Sequence, residues 1–214
     1  NNMSDAFSRT ETVQEGFWAG EFGNSYIQRN DSSKIVRSNI ALFSKVLART
    51  NDLGTLVEFG ANIGNNLRAI HVLNPNIKLS AVEINEKACN RLREFKEVSS
   101  VKLGSILTYK SDETFDLSLS KGLLIHIHPD HLPLAYNSLY QASHRYVLLC
   151  EYYNPTPVNV VYRGHDDRLF KRDFAGDMMS LYSDLRLLDY GFVYRNDPVF
   201  PQDDLTWFLM EKIT

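Results

Sequence analysis

Between Thr55 and Cys150, short runs of consecutive apolar residues alternate with segments whose apolar positions recur three and four apart. Thr55–Phe59, Lys78–Ile84 and Phe115–Ser120 read as strands, Val101–Ile106 as a short one, and Arg145–Cys150 has the continuous apolar character of a strand in a buried parallel sheet. Helical spacing falls between them, over Asn65–Leu73 and Glu86–Glu97. Pro129, with Asp130 beside it, opens a further helix that runs to about Ser143. Strands that alternate with helices in this way predict a doubly wound α/β sheet with helices on both faces.

The flanks follow other rhythms. Residues 11–30 mix aromatics with three glycines and show no clean period, so they are expected to form an aromatic loop with short helical pieces. Ser33–Arg49 places Ile35, Ile40, Phe43, Val46 and Leu47 on one helical face. Beyond Cys150, residues 151–174 are polar and aromatic and are interrupted by Pro155, Pro157 and Gly164, which predicts a long loop. A helix over Ala175–Tyr182 follows, then strands near Arg186–Tyr194 and Thr206–Glu211 with no helix of normal length between them. The expected fold is a Rossmann-like seven-stranded sheet, mostly parallel, with an antiparallel hairpin at its C-terminal edge. One domain is expected to span residues 1–214: an N-terminal segment to residue 50, a core over 51–150, the loop 151–174 and the C-terminal helix and strand pair 175–214.

Composition narrows the partners. Of the 214 residues, 43% are hydrophobic and 12% aromatic, enough for a sizeable core, and the net charge of −3 gives no attraction for nucleic acid or an anionic membrane. Two cysteines, Cys89 and Cys150, form no disulfide framework or metal pattern. With no apolar run of spanning length and no signal-peptide pattern, the expectation is a cytoplasmic protein without a membrane partner. Nothing in the sequence sets an oligomeric state.

Candidate chemistry begins at Leu56-Val57-Glu58-Phe59-Gly60-Ala61-Asn62-Ile63-Gly64, with Glu83 nineteen residues past Gly64 at the end of the next strand. Glycines between a strand and a helix let the backbone approach a ligand closely, and a carboxylate ending the second strand suits a ribose. A phosphate-binding loop would end in Gly-Lys-Ser/Thr, where this chain has Asn65-Asn66. A dinucleotide site would show Gly-x-Gly-x-x-Gly without the preceding acid.

The acid-x-Gly-x-Asn-x-Gly order resembles motif I of the class I S-adenosylmethionine-dependent methyltransferases, with Asn62 in place of the middle glycine. Asparagine tolerates the left-handed backbone that this place asks for. The resemblance implies a site for S-adenosylmethionine. Glu58 would hold the ammonium of its methionine part, the Gly60-Ala61-Asn62-Gly64 loop its carboxylate, and Glu83, followed by Ile84, the ribose hydroxyls. Ser105 and Ile106 would lie along the adenine, and Lys121, closing the fourth strand, belongs to the same cofactor set. Trp18, Phe22, Tyr26 and Arg29 form a candidate lid, with Tyr26 or Arg29 reaching the carboxylate; an aromatic plug on the sheet edge is the other reading.

Asp116 to His131 would border the transferred methyl group. His126, His128 and His131 invite a metal reading, but no completing cysteine or glutamate lies nearby, so no metal is expected. His126 is the first candidate for a general base, against a structural hydrogen-bonded histidine, and Glu151 is the second. Acceptor-binding candidates lie in the loop: Tyr152, Tyr153, Asn154, Arg163, His165, Arg168, Lys171, Arg172 and Asp173. Arginine and lysine there would clamp an acidic group or else form internal ion pairs.

A longer resemblance covers about residues 17–212. Phe17-Trp18-Ala19-Gly20-Glu21-Phe22-Gly23, Ser120-Lys121-Gly122-Leu123-Leu124-Ile125-His126-Ile127, Glu151-Tyr152-Tyr153-Asn154-Pro155-Thr156-Pro157, Tyr162-Arg163-Gly164-His165, Asp167-Arg168-Leu169-Phe170-Lys171-Arg172-Asp173-Phe174-Ala175-Gly176 and Phe200-Pro201-Gln202-Asp203-Asp204 are similar to the methyltransferases associated with bacterial pseudaminic acid biosynthesis. That resemblance implies methyl transfer to a hydroxyl or amine of a small, acidic sugar-like acceptor: a nonulosonic acid, a nucleotide-sugar, or a capsule or flagellar glycan precursor. A protein of another class, one that binds S-adenosylmethionine for regulation or scaffolding without transfer, is the alternative. Nucleic-acid methylation is disfavoured by the charge and by Asn154-Pro155-Thr156-Pro157, which breaks the catalytic tetrad such enzymes carry.

Overall fold

A computed structural model describes residues 12–29, 33–110 and 112–213. Its centre is a seven-stranded sheet of β1 (Thr55–Phe59), β2 (Lys78–Glu83), β3 (Val98–Leu103), β4 (Phe115–Lys121), β5 (Ser143–Glu151), β8 (Leu185–Phe192) and β9 (Thr206–Lys212), in the order β3-β2-β1-β4-β5-β9-β8. The pairs among β1 to β5 are parallel; β9 runs antiparallel to β5 and to β8. The expected mostly parallel sheet with an antiparallel edge pair is what forms. Order reverses between β1 and β4, and there the carboxyl ends of the strands open a crevice.

Helices cover both faces. α3 (Ser33–Leu47), α4 (Asn65–Leu73) and α5 (Glu86–Glu94) bury Phe43, Val46, Leu67, Ile70 and Leu92 on one side against Leu56, Leu79 and Leu117. α6 (Leu132–Ala142) and α7 (Phe174–Leu181) bury Leu132, Tyr136, Leu139 and Met178 on the other, against Val57, Val147 and Leu149. Each such side chain contributes roughly 1.5–3 kcal/mol by leaving water, so the two clusters fix the sheet and hence the crevice.

Three expectations are corrected. The third strand is Val98–Leu103, not Val101–Ile106, because it pairs with β2 across Leu79–Glu83 and stops where Gly104 N–H reaches the Glu83 carbonyl. Residues 11–30 are not mainly loop. Thr12 caps α1 (Val13–Ala19) in a reciprocal capping box with Glu15, and α2 (Glu21–Arg29) follows at once. Third, residues 151–174 contain a β-hairpin, β6 (Val158–Tyr162) and β7 (His165–Lys171), which forms its own two-stranded sheet. Its turn is Arg163-Gly164 with φ of 49° and 80°, the left-handed pair that a two-residue hairpin turn requires.

Among the described residues no helix is long and apolar enough to cross a membrane, and no group of three or more His, Cys, Asp or Glu side chains is placed to hold a metal ion.

Candidate functional site

Above the carboxyl ends of β1, β2 and β4 lies a cleft of about 700 Å³. The loop after β1 shapes its floor. Gly60, Asn62 and Gly64 have φ of 71°, 50° and 86°, so Asn62 takes the left-handed conformation the motif assigned it. A Cβ on Gly60 would meet the Leu123 side chain at 3.0 Å, so the glycine is needed for closeness as well as for dihedral freedom.

Two carboxylates organise the floor. Glu83, 7% exposed, accepts from Asn62 N–H at 2.7 Å through one oxygen and from Asn85 N–H at 2.8 Å through the other. Burial raises its pKa and these backbone donors oppose the shift. With both oxygens pinned from behind, their remaining lone pairs can receive a pair of hydroxyls. Glu58, fully buried, accepts from Asn66 Nδ2 at 2.5 Å through Oε1, while its Oε2 has no partner among the described residues. Burial lifts its pKa to about 8, against the Asn66 hydrogen bond and the nearby Lys121.

Over this floor sits an aromatic roof. Phe17 stacks on Phe22 at 4.1 Å between centroids, and Trp18 meets Tyr26 at 5.3 Å and His126 at 4.4 Å. Tyr162 of the hairpin closes on His126 at 5.3 Å. Two polar ties hold the roof to the strand ends: Asn85 Nδ2 donates to the Trp18 carbonyl (3.2 Å) and to Asn24 Oδ1 (2.9 Å), and Ser105 Oγ donates to Glu15. Gly23 lies so near the Trp18 carbonyl that a Cβ there would sit 1.8 Å from its oxygen.

His126 Nδ1 lies 2.6 Å from the Arg168 carbonyl. A carbonyl only accepts, so Nδ1 carries the proton and Nε2 keeps its lone pair. Burial depresses this imidazole to about 4, with the Arg168 contact pulling the other way.

Of the candidates named from sequence, Trp18, Tyr26, Gly60, Ala61, Asn62, Glu83, Ile84, Ser105, Ile106, Lys121, His126, Tyr152 and Arg163 line this one cleft. Glu58 lies just beneath it, Gly64 caps α4, and the side chain of Arg29 lies outside the described residues.

Most of the proposed acceptor set is placed elsewhere. Glu151 is corrected as a base: it accepts from Ser120 Oγ (2.7 Å) and from the N–H groups of Leu123 (3.2 Å), Leu124 (3.1 Å) and Ile125 (3.4 Å), so it holds the loop carrying His126. Burial raises its pKa to about 7 despite these donors. Glu151→Ala leaves several buried donors unpaired and is expected to destabilise the fold by about 2 kcal/mol. A chemical denaturation midpoint equal to that of the wild type would refute the pinning role.

Asp173 caps α7 through Gly176 N–H, and Arg172 pairs with Asp177 at 2.7 Å. Lys171 lies over the Tyr152 ring at 5.2 Å, Arg168 over Phe17 at 5.2 Å, and His165 packs on Phe17. Asn154 turns back to Thr156, and Tyr153 packs on Phe208. None of these lines the cleft, because their side chains turn to other partners: Phe17 of α1, Phe208 of β9, Tyr152, Thr156 and α7. In their place the connection from β8 to β9 brings Arg195, Gln202 and Asp203, and α3 brings Ser38 and Asn39. Sequence reasoning assigned none of these a role; only Gln202 and Asp203 fell within a noted motif.

No protein-family model matches the chain, and no curated protein matches it. Solved structures do. The 1,6-didemethyltoxoflavin-N1-methyltransferase of Burkholderia thailandensis, bound to 1,6-didemethyltoxoflavin and S-adenosylhomocysteine, superposes with a TM-score of 0.68 at 14% identity, over 94% of this chain and 88% of that one. An S-adenosylmethionine-dependent methyltransferase from Clostridium acetobutylicum gives 0.64 at 12% identity, over 90% and 98%. The O-methyltransferase of a trans-AT polyketide synthase from Brevibacillus brevis, with S-adenosylhomocysteine, gives 0.63 at 11% identity, over 95% and 80%. With this strand order and these likenesses, the chain has the fold of the class I S-adenosylmethionine-dependent methyltransferases.

Proposed function

We propose that this protein is an S-adenosylmethionine-dependent methyltransferase that methylates a hydroxyl or amine of a small, acidic sugar-like acceptor in the cytoplasm. The acceptor class covers a nonulosonic acid, a nucleotide-sugar, and a capsule or flagellar glycan precursor, in keeping with the resemblance to pseudaminic acid-associated methylases. The observation that carries the donor assignment is the pair of carboxylates: Glu83 with both oxygens anchored by backbone, and Glu58 with a buried oxygen that no described residue satisfies. A cofactor with vicinal ribose hydroxyls and an ammonium fits that donor and acceptor pattern. When bound, it would supply an electrophilic methyl on a sulfonium.

The chain's own residues supply position. Glu83 would hold the ribose and Glu58 the amino end, while Trp18, Tyr26 and Tyr162 exclude water from above. His126, through Nε2, would take the proton that the acceptor loses. Arg163 and Arg195, at the rim with Asp203, would meet the acceptor's acid group. The experiment is calorimetric binding of S-adenosylmethionine followed by transfer of a radiolabelled methyl group to purified acidic sugars and nucleotide-sugars. Binding without transfer to any of them would favour the regulatory or scaffold alternative, and no binding would end the donor assignment.

One consequence is a linked proton. Folding raises Glu58 from 4.5 to about 8, so its contribution to stability is full below pH 4.5 and is lost as pH rises through about 8. A bound ammonium favours the carboxylate form, so binding near pH 7 is expected to release a proton and to tighten as pH rises toward 8. Binding enthalpies in buffers of different ionisation enthalpy measure that release; identical enthalpies would refute it.

A further inference from the structure

The roof of α1 and α2 touches both halves of the site. On the donor side, Glu15 accepts from Ser105 Oγ, and Ile27 is buried with Ile63 of the glycine-rich loop and Ala88 of α5. Between them, Asn85 Nδ2 donates at the junction of the two helices, to the Trp18 carbonyl (3.2 Å), the Ala19 carbonyl (3.4 Å) and Asn24 Oδ1 (2.9 Å). Asn85 is also the residue whose own N–H anchors Glu83, at 2.8 Å. On the other side the roof meets the β6–β7 hairpin. Phe17 lies 5.2 Å from His165 and 5.2 Å from the Arg168 guanidinium, and Phe22 lies 6.2 Å from Tyr162. The hairpin in turn offers the Arg168 carbonyl to His126 Nδ1 at 2.6 Å.

Little else holds the roof down. Among the described residues of the two helices, Ile27 alone is a buried apolar side chain. An element held by a few polar ties and ring contacts opens at small free-energy cost, and a ligand beneath it can order it. Trp18 and Tyr26 line the cleft, so a bound donor adds contacts to the closed roof. The junction is shaped around Asn85. Glycine inside a helix costs about 1 kcal/mol relative to alanine. At Gly23, however, a Cβ would sit 1.8 Å from the Trp18 oxygen and 3.0 Å from Asn85 Nδ2.

We infer that the roof couples the two halves of the site. A donor held on Glu83 orders α1 and α2, which Asn85 latches to the donor floor, and the roof passes that order to the hairpin through Phe17. The acceptor side is therefore completed only over a loaded donor site. The inference rests on the donor assignment above and makes Asn85 and Phe17 positioning residues for the acceptor.

The test is amide hydrogen exchange, read by mass spectrometry on the full chain with and without saturating S-adenosylhomocysteine. In the wild type, the ligand is expected to slow exchange about five- to tenfold in the β1–α4 loop, in α1–α2 and in the hairpin. Asn85→Asp keeps the cap on Ala88 N–H and the backbone N–H to Glu83, but loses the Nδ2 donor that the roof shares. In that variant the loop is expected still to slow, while the effect on roof and hairpin falls below about twofold. Phe17→Ala leaves the Asn85 ties in place, so loop and roof are expected to slow and the hairpin is not. Hairpin slowing that survives in either variant, or that is absent from wild-type protein with the ligand bound, would overturn the coupling. Wild-type protein that binds no S-adenosylhomocysteine would instead overturn the donor assignment.

Discussion

Glu83→Ala is expected to weaken S-adenosylhomocysteine by about a hundredfold or more. The carboxylate does two things at once: it takes the backbone N–H groups of Asn62 and Asn85, and it offers its remaining lone pairs to the cleft. Alanine strands both donors and removes two charge-assisted bonds to ribose, each worth about 1.5–3 kcal/mol. A factor of ten needs about 1.4 kcal/mol, so losing both bonds, about 3 kcal/mol or more, exceeds a hundredfold. Glu83→Gln keeps one acceptor oxygen but turns an NH₂ toward an N–H donor, so it should bind better than alanine and worse than the wild type. A calorimetric loss of less than tenfold for alanine, in protein of normal thermal midpoint, would show that Glu83 is not the ribose ligand.

Turnover is expected to fall about 10²-fold in His126→Ala at saturating substrates. The Arg168 carbonyl fixes the proton on Nδ1 and so leaves Nε2 as the proton acceptor. Burial depresses this imidazole from 6.5 to about 4, which keeps it neutral across the physiological range. Turnover through it is therefore expected to stay flat down through pH 6 and to decline only toward pH 4. The same shift makes the fold lose stability as pH falls from 6.5 through 4, because the unfolded chain binds the proton first. Near wild-type turnover in the alanine variant would reduce His126 to a packing partner of Trp18 and Tyr162.

The core was legible in the sequence because its strands are buried on both faces, and Tyr146 to Cys150 reads as an unbroken apolar run. The cofactor floor was legible for a related reason: backbone conformation restricts residue type, and Gly60, Asn62 and Gly64 record it. β3 was placed three residues late because Val98-Ser99-Ser100 has little apolar signal and is set by pairing with β2. The hairpin was hidden because His165-Asp166-Asp167-Arg168 looks like a solvated charge run, and Arg163-Gly164 reads as an interruption until its dihedrals show a turn. Arg168 answers to the Phe17 ring, and Arg172 and Asp173 to α7, partners that no spacing rule identifies. Asn39 had no motif at all. A single polar residue on an apolar helix face carries no spacing signal of its own.

The two-stranded sheet of β6 and β7 stands apart from the seven strands that hold the donor site. Its residues therefore change under a different constraint. A substitution at Tyr162 or Arg163 reshapes what enters the cleft without shifting any register in the main sheet, whereas one at Val57 or Leu119 disturbs the donor floor itself. Under the proposed function, new acceptors would be acquired by rewriting this hairpin while the donor floor is inherited unchanged.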